Sequence, residues 1–315
     1  MHTDTSTLLA APETVPTQAV RNRGWIVLLS VLAGAAMAAL WSFEFVDKVI
    51  GDNVANTLLG HDAKSTAIGG AVAGAVFAFV SGVAGTFTAC NIAAFGTLAP
   101  MMREGGTGRS RLGTVLRPLG WLSLGMIVVS GAYGAIGALA GTSLPQLSTG
   151  KVGDDVPVRL LQASVVFGLI GLAFVYLGLV ALRLVPDPLA GLSRRYPHAP
   201  LVVMGALVGG FLIGRPFPLF HKMFEYAVEQ HNPFYGAFVF MLQSLGNIAI
   251  MAVLLLLLTY VAGGRLQPWM AANPGRAAAI TAVAFIVVGT FTVLYWDLRL
   301  PARFGYGWFP TAPWS

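Results

Sequence analysis

From Ser65 to Met102 the chain runs for 38 residues without a charged side chain. As one straight α-helix this run would reach about 57 Å at 1.5 Å per residue, against a bilayer hydrocarbon core of about 30 Å. It must therefore bend, break or re-enter. The polar patch Thr86, Thr88, Cys90 and Asn91, with Gly85 before it and Gly96 after it, is the place for the break. Backbone groups freed inside a membrane are tolerated only where protein or water satisfies them, and such places are usually working sites.

Composition points the same way. Hydrophobic residues make up 56% and charged residues 10% of the chain, where a soluble domain carries about 25% charged residues. This predicts an all-α polytopic membrane protein, with the lipid bilayer as its first partner. The net charge of +6 is read as topology, because Lys and Arg mark cytoplasmic loops. The basic residues are scattered and no nucleic-acid-binding motif accompanies them, so nucleic acid is not an expected partner. Cys90 is the one cysteine, which excludes an internal disulfide. Neither a phosphate-binding loop nor an HExxH motif occurs.

Seven apolar runs are long enough to be spans: roughly 25–46, 66–100, 117–140, 159–184, 199–221, 234–262 and 276–297. The loops between them alternate in charge. Arg21 and Arg23 precede the first span, and Arg103, Arg109, Arg111 and Arg117 lie between the second and third. Arg183, Arg194 and Arg195 follow the fourth, and Arg265 and Arg276 lie between the sixth and seventh. The other loops are acidic or balanced. The positive-inside rule then predicts a plasma (inner) membrane protein with a cytoplasmic N-terminus and an extracytoplasmic C-terminus. Residues 1–24 are expected to be a disordered cytoplasmic tail, and 25–46 an extra transmembrane helix. A cleavable signal peptide ending near Ala36-Met37-Ala38 is the competing reading of that segment. The aromatic tail 298–315, with Tyr306, Trp308, Phe309 and Trp314, suits the outer membrane–water interface.

Residues 66–184 and 199–297 each hold three spans, and the second set enters the membrane from the opposite side to the first. Each set opens on an interrupted helix. In the first the interruption is Thr88-Ala89-Cys90-Asn91. In the second it is Gly214-Arg215-Pro216-Phe217-Pro218, where two prolines remove two backbone donors. Inverted repeats with breaks in matching places point to a site near the bilayer midplane.

At these residues the chain resembles the CcdA family, the cytochrome c biogenesis transmembrane proteins that include the membrane domain of DsbD, within the LysE-like superfamily. The resemblance covers about residues 66–297. It rests on the Thr-Ala-Cys-Asn break and on the run Asn232-Pro233-Phe234-Tyr235-Gly236-Ala237-Phe238, followed by Gln243-Ser244-Leu245-Gly246. It implies an inverted three-plus-three bundle that carries reducing equivalents across the membrane, from thioredoxin-like proteins to extracytoplasmic thiol proteins or cytochrome c biogenesis. It also implies that Cys90 is the catalytic thiol. Phe217, after Pro216, stands where the family's second cysteine is expected.

Other residues mark candidate chemistry. Arg215 must reach an interface, a wet cavity or a partner, because a guanidinium in hydrocarbon costs about 2.5–3.5 kcal/mol on insertion scales. Its readings are snorkelling to headgroups or attracting an anion in a central cavity. Thr88, Asn91, Arg215, Pro216, Phe217 and Pro218 form one candidate path lining. Gln243 and Asn247, one turn apart with Ser244 beside them, extend it or simply bond neighbouring helices. His221 and Glu225 share a helix face and, with Met223, form a weak copper or zinc set; an exposed helix end is the plain alternative. Beside the thiol function stand two others: a transporter of a small solute or metal ion on the same fold, and a non-catalytic subunit that contacts other membrane proteins. No cofactor is specified.

Overall fold

A computed structural model describes residues 22–42, 44–86, 108–148, 150–152, 156–214, 217–272 and 274–314. It is mostly helical. In chain order the helices are α1 (Arg23–Leu40), α2 (Asp52–Leu59), α3 (Ala71–Ala84), α4 (Gly108–Ala140), α5 (Val158–Ala181), α6 (Ala190–Arg195), α7 (Ala199–Gly214), α8 (Pro218–Glu229), α9 (Pro233–Ala272), α10 (Pro274–Val293) and α11 (Leu300–Arg303). A π-helical turn, Glu44–Gly51, leads into α2, and another, Leu294–Arg299, joins α10 to α11. The described β-structure is a short antiparallel hairpin that pairs Lys151 with Pro157 ahead of α5.

Among the described residues five helices are long and apolar enough to cross a membrane: Arg23–Leu40, Leu116–Ala140, Val158–Ala181, Pro233–Leu257 and Gly275–Arg303. The pair α7 and α8 makes a sixth candidate, bent by 84°. The fourteen-residue α3 is apolar but short, reaching about 21 Å. Of the tail expected over 1–24, residues 1–21 lie outside the described residues, as does the Thr88–Asn91 break, and α1 already begins at Arg23. The acid-balanced loop expected after the first span contains helical structure instead, from Glu44 to Leu59. Its outward residues Phe45, Val49 and Leu58 alternate with buried Ala55, a short amphipathic pattern that a search for full-length spans passes over.

Close helix packing rests on glycine, because bare backbones gain dispersion contacts that lipid cannot replace. Gly134 and Gly236 face each other where α4 crosses α9, and Gly171 and Gly289 do the same where α5 crosses α10. Gly34 sets α1 against α10: a Cβ there would lie 2.7 Å from the Val287 carbonyl oxygen. Around these seams lie two main apolar cores. One joins Leu122, Met126, Phe167, Phe174, Met204, Val208 and Met251. The other joins Phe77, Phe217, Phe220, Met223, Phe224 and Phe240.

Two crossings match contact for contact. A Cβ on Gly82 of α3 would strike the Gln243 carbonyl of α9, and one on Gly205 of α7 would strike the Leu122 carbonyl of α4. In return Gly246 of α9 abuts the Phe79 carbonyl and Val83 amide, and Gly125 of α4 abuts the Val202 carbonyl and Ala206 amide. The chain tail also folds back. The Ala312 amide donates to the Ala39 carbonyl at 3.1 Å, and Phe309 packs beside Phe291 and Tyr295.

Candidate functional site

The polar turn of α9 lies at the centre of these crossings. Ser-Leu-Gly occurs twice, at Ser123-Leu124-Gly125 in α4 and Ser244-Leu245-Gly246 in α9. The flanking residues differ. Leu122 and Met126 surround the first, Gln243 and Asn247 the second. The polarity is therefore one-sided, on α9. The side chains of Gln243 and Ser244 are each 1% exposed. Gln243 Oε1 and Ser244 Oγ are buried without a hydrogen-bond partner among the described residues. A buried acceptor left unmet costs about 1–3 kcal/mol, and among the described residues nothing offsets that cost here.

A cavity of about 10 Å3 opens beside them, room for roughly one water-sized particle. Gly82, Met126, Val208, Phe211, Leu212 and Asn247 complete its wall with Gln243 and Ser244. Gly82 belongs here because a side chain would collide with the α9 backbone. The Thr86 hydroxyl donates to the Gly82 carbonyl at 3.2 Å and is 3.4 Å from the Asn247 carbonyl. Thr86 is the last described residue before the break that carries Thr88, Cys90 and Asn91. The approach to that break is thus pinned to the polar turn of α9.

The second interruption is partly described. α7 ends at Gly214, and α8 starts at Pro218, whose fixed φ suits a first helical position; Arg215 and Pro216 lie outside the described residues. Phe217, between them, is 3% exposed and packs into the core with Phe77, Leu212 and Phe220. The Ile213 carbonyl, near the end of α7, accepts from Gln162 Nε2 at 2.8 Å and Tyr133 Oη at 3.3 Å. Those two side chains meet acceptors that the helix end leaves open.

The residues proposed as a metal set do not converge. Met223 is fully buried against Ser81, whose hydroxyl lies 3.8 Å from its sulfur, while Glu225 is exposed. Positions two apart on a helix point to different sides, which separates Met223 from His221 and Glu225. Among the described residues no three His, Cys, Asp or Glu side chains form a metal-binding group.

Of the candidate residues, Gln243 and Asn247 come together at one cavity, and Phe217 and Pro218 sit at the second break. Sequence reasoning missed Gly82 and Met126 at the cavity. The repeated Ser-Leu-Gly is the signal that leads to Met126, the counterpart of Asn247. Comparison with known proteins gives no match to the chain from any family model, curated protein or solved structure.

Proposed function

We propose that this chain is an inverted-repeat integral membrane protein of the CcdA type, which passes reducing equivalents across the membrane through Cys90. The observation that supports the repeat is the pair of matching crossings, Gly82 on Gln243 with Gly246 on Phe79, and Gly205 on Leu122 with Gly125 on Val202. In this reading α3, α4 and α5 correspond to α7, α9 and α10, α1 is the extra seventh span, and the N-terminus is cytoplasmic. The fixed contact of Thr86 with α9 supports a working position for the residues that follow it.

A single thiol completes the transfer when its partners supply the others. The Cys90 thiolate attacks a disulfide of an extracytoplasmic partner, forming a mixed disulfide and freeing one partner thiol. A thiolate of a cytoplasmic thioredoxin-like dithiol then attacks the Cys90 sulfur and releases the second partner thiol. The remaining thiol of that dithiol resolves the new mixed disulfide. Two electrons and two protons pass to the outer partner, the inner dithiol becomes a disulfide, and Cys90 returns as a thiol.

The test is labelling of Cys90 in intact cells with membrane-permeant and impermeant thiol reagents, alongside Cys90→Ser. Reaction from both sides, with loss of extracytoplasmic thiol reduction in the variant, is expected. An unreactive Cys90, or a serine variant with full reduction, refutes the reading.

A second reading is favoured by Gln243 Oε1 and Ser244 Oγ at the central cavity, which have no hydrogen-bond partner among the described residues: a transporter that passes a small solute through this polar turn. Vesicle uptake that survives Cys90→Ser but fails in Gln243→Leu would select it over the thiol function.

A further inference from the structure

A second small cavity, about 20 Å3, lies away from the polar turn of α9 and is lined by Gln146, Arg159, Gly214 and His221. Four separate pieces of chain build it. Gln146 comes from the loop after α4 and is 4% exposed. Arg159 is the second residue of α5, Gly214 the last of α7 and His221 the fourth of α8. Arg159 and His221 are close enough for their charges to interact. Each side chain at this cavity can donate a hydrogen bond: a guanidinium fork, an imidazole N–H and an amide N–H. Glycine at 214 keeps the wall open, and a Cβ there would crowd Ala163 and Phe167 at 3.1 Å. The adjacent Ile213 carbonyl already has two side-chain donors, so Arg159 is not needed to serve it. The Glu225 carboxylate, one turn from His221 on the same helix, also lies close enough for its charge to act on the imidazole, and both it and Arg159 are exposed.

We infer that this cavity binds a small oxyanion, held by the Arg159 guanidinium with the His221 side chain. A planar guanidinium presents two parallel donors and matches two oxygens of one anion, which a point charge does not. The site lies at the mouth of the interrupted helix α7–α8, where an anion would bridge α5 to α8. It is independent of Cys90.

The test uses the full-length chain purified in mild detergent. Its thermal unfolding is followed by tryptophan fluorescence while sodium nitrate replaces sodium gluconate at constant ionic strength. A ligand that binds the folded form raises the transition saturably. The wild type is expected to show that saturable rise, with at least tenfold weaker apparent binding in Arg159→Gln and partial loss in Arg159→Lys, which keeps the charge but not the fork. If Arg159→Gln does not fold, His221→Gln is used, with at least threefold weaker binding expected. No saturable rise in the wild type, or the same rise in wild type and variant, overturns the site.

Discussion

Gly82 sits directly on the backbone carbonyl of Gln243, with no room between α3 and α9 for a Cβ. Gly205 and the Leu122 carbonyl repeat the arrangement between α7 and α4. Backbone oxygens cannot rotate away, so an added methyl must push the helices apart. Gly82→Ala and Gly205→Ala should each destabilise the chain by about 1–3 kcal/mol, the usual cost of overpacking. Gly120 in α4 meets nothing within 4 Å. Gly120→Ala should be neutral or slightly stabilising, since alanine is favoured over glycine in helices by about 1 kcal/mol. Thermal unfolding in detergent compares the three. Equal losses would refute the packing argument.

The ammonium of Lys222 in α8 gathers three backbone carbonyls of the segment before α3: Ala63 at 2.8 Å, Lys64 at 2.9 Å and Thr66 at 2.5 Å. It also lies 5.5 Å from the Phe77 ring centroid. Lys222→Met keeps much of the aliphatic stem and removes every donor. It should cost about 1.5–3 kcal/mol, the range for hydrogen bonds to a charged group. Amide exchange should quicken first over 60–68. Unchanged exchange there would show that Lys222 does not hold the segment.

Asp62 closes the same segment from the other side. Its carboxylate accepts from the Lys64 amide at 2.8 Å and the Ser65 amide at 3.1 Å. The Ser65 and then the Lys64 amide hold its pKa below the usual carboxylate value. A lowered folded-state pKa means that this support is present above the ordinary aspartate pKa and is lost as pH falls through the lowered value. Proteolysis at 61–66 should therefore rise as pH drops below about 4. Asp62→Ala should be cut faster at neutral pH and lose that pH dependence. Asp62→Asn, which keeps an oxygen acceptor but cannot ionise, should also lack it. A pH response that persists in both variants would assign it to another group.

Ser244 and Gln243 separate stability from work. Among the described residues neither Ser244 Oγ nor Gln243 Oε1 has a hydrogen-bond partner, and removing such an atom relieves a desolvation cost. Ser244→Ala and Gln243→Leu should therefore unfold at the same temperature as the wild type or higher. If the polar turn serves passage through the protein, the same variants lose activity while gaining stability. A stability loss above about 1 kcal/mol in Ser244→Ala would instead indicate a structural hydrogen bond.

Much of this protein follows from local chemistry along the chain. Hydropathy is additive over a window the length of a span, so the runs near 25, 117, 159, 234 and 276 identify themselves as membrane helices without reference to their neighbours. Two prolines stop α7 wherever they fall, and Pro233 opens α9 in the same way. The spacing of Gln243 and Asn247 puts them near one another on any helix. What the sequence could not supply is the identity of the neighbours. Gly82 and Gly120 are chemically identical, yet one abuts a carbonyl and the other faces open space. His221, Met223 and Glu225 look like a ligand set in one dimension, and only the packing of α8 on Ser81 turns the sulfur into the core. Arg159 and His221 belong to different helices, and only the 84° bend between α7 and α8 accompanies their meeting at one cavity. Helix formation is decided over a few residues, whereas a site is decided by which backbones can touch; here, glycine on both sides of the α3–α9 and α7–α4 crossings settles that.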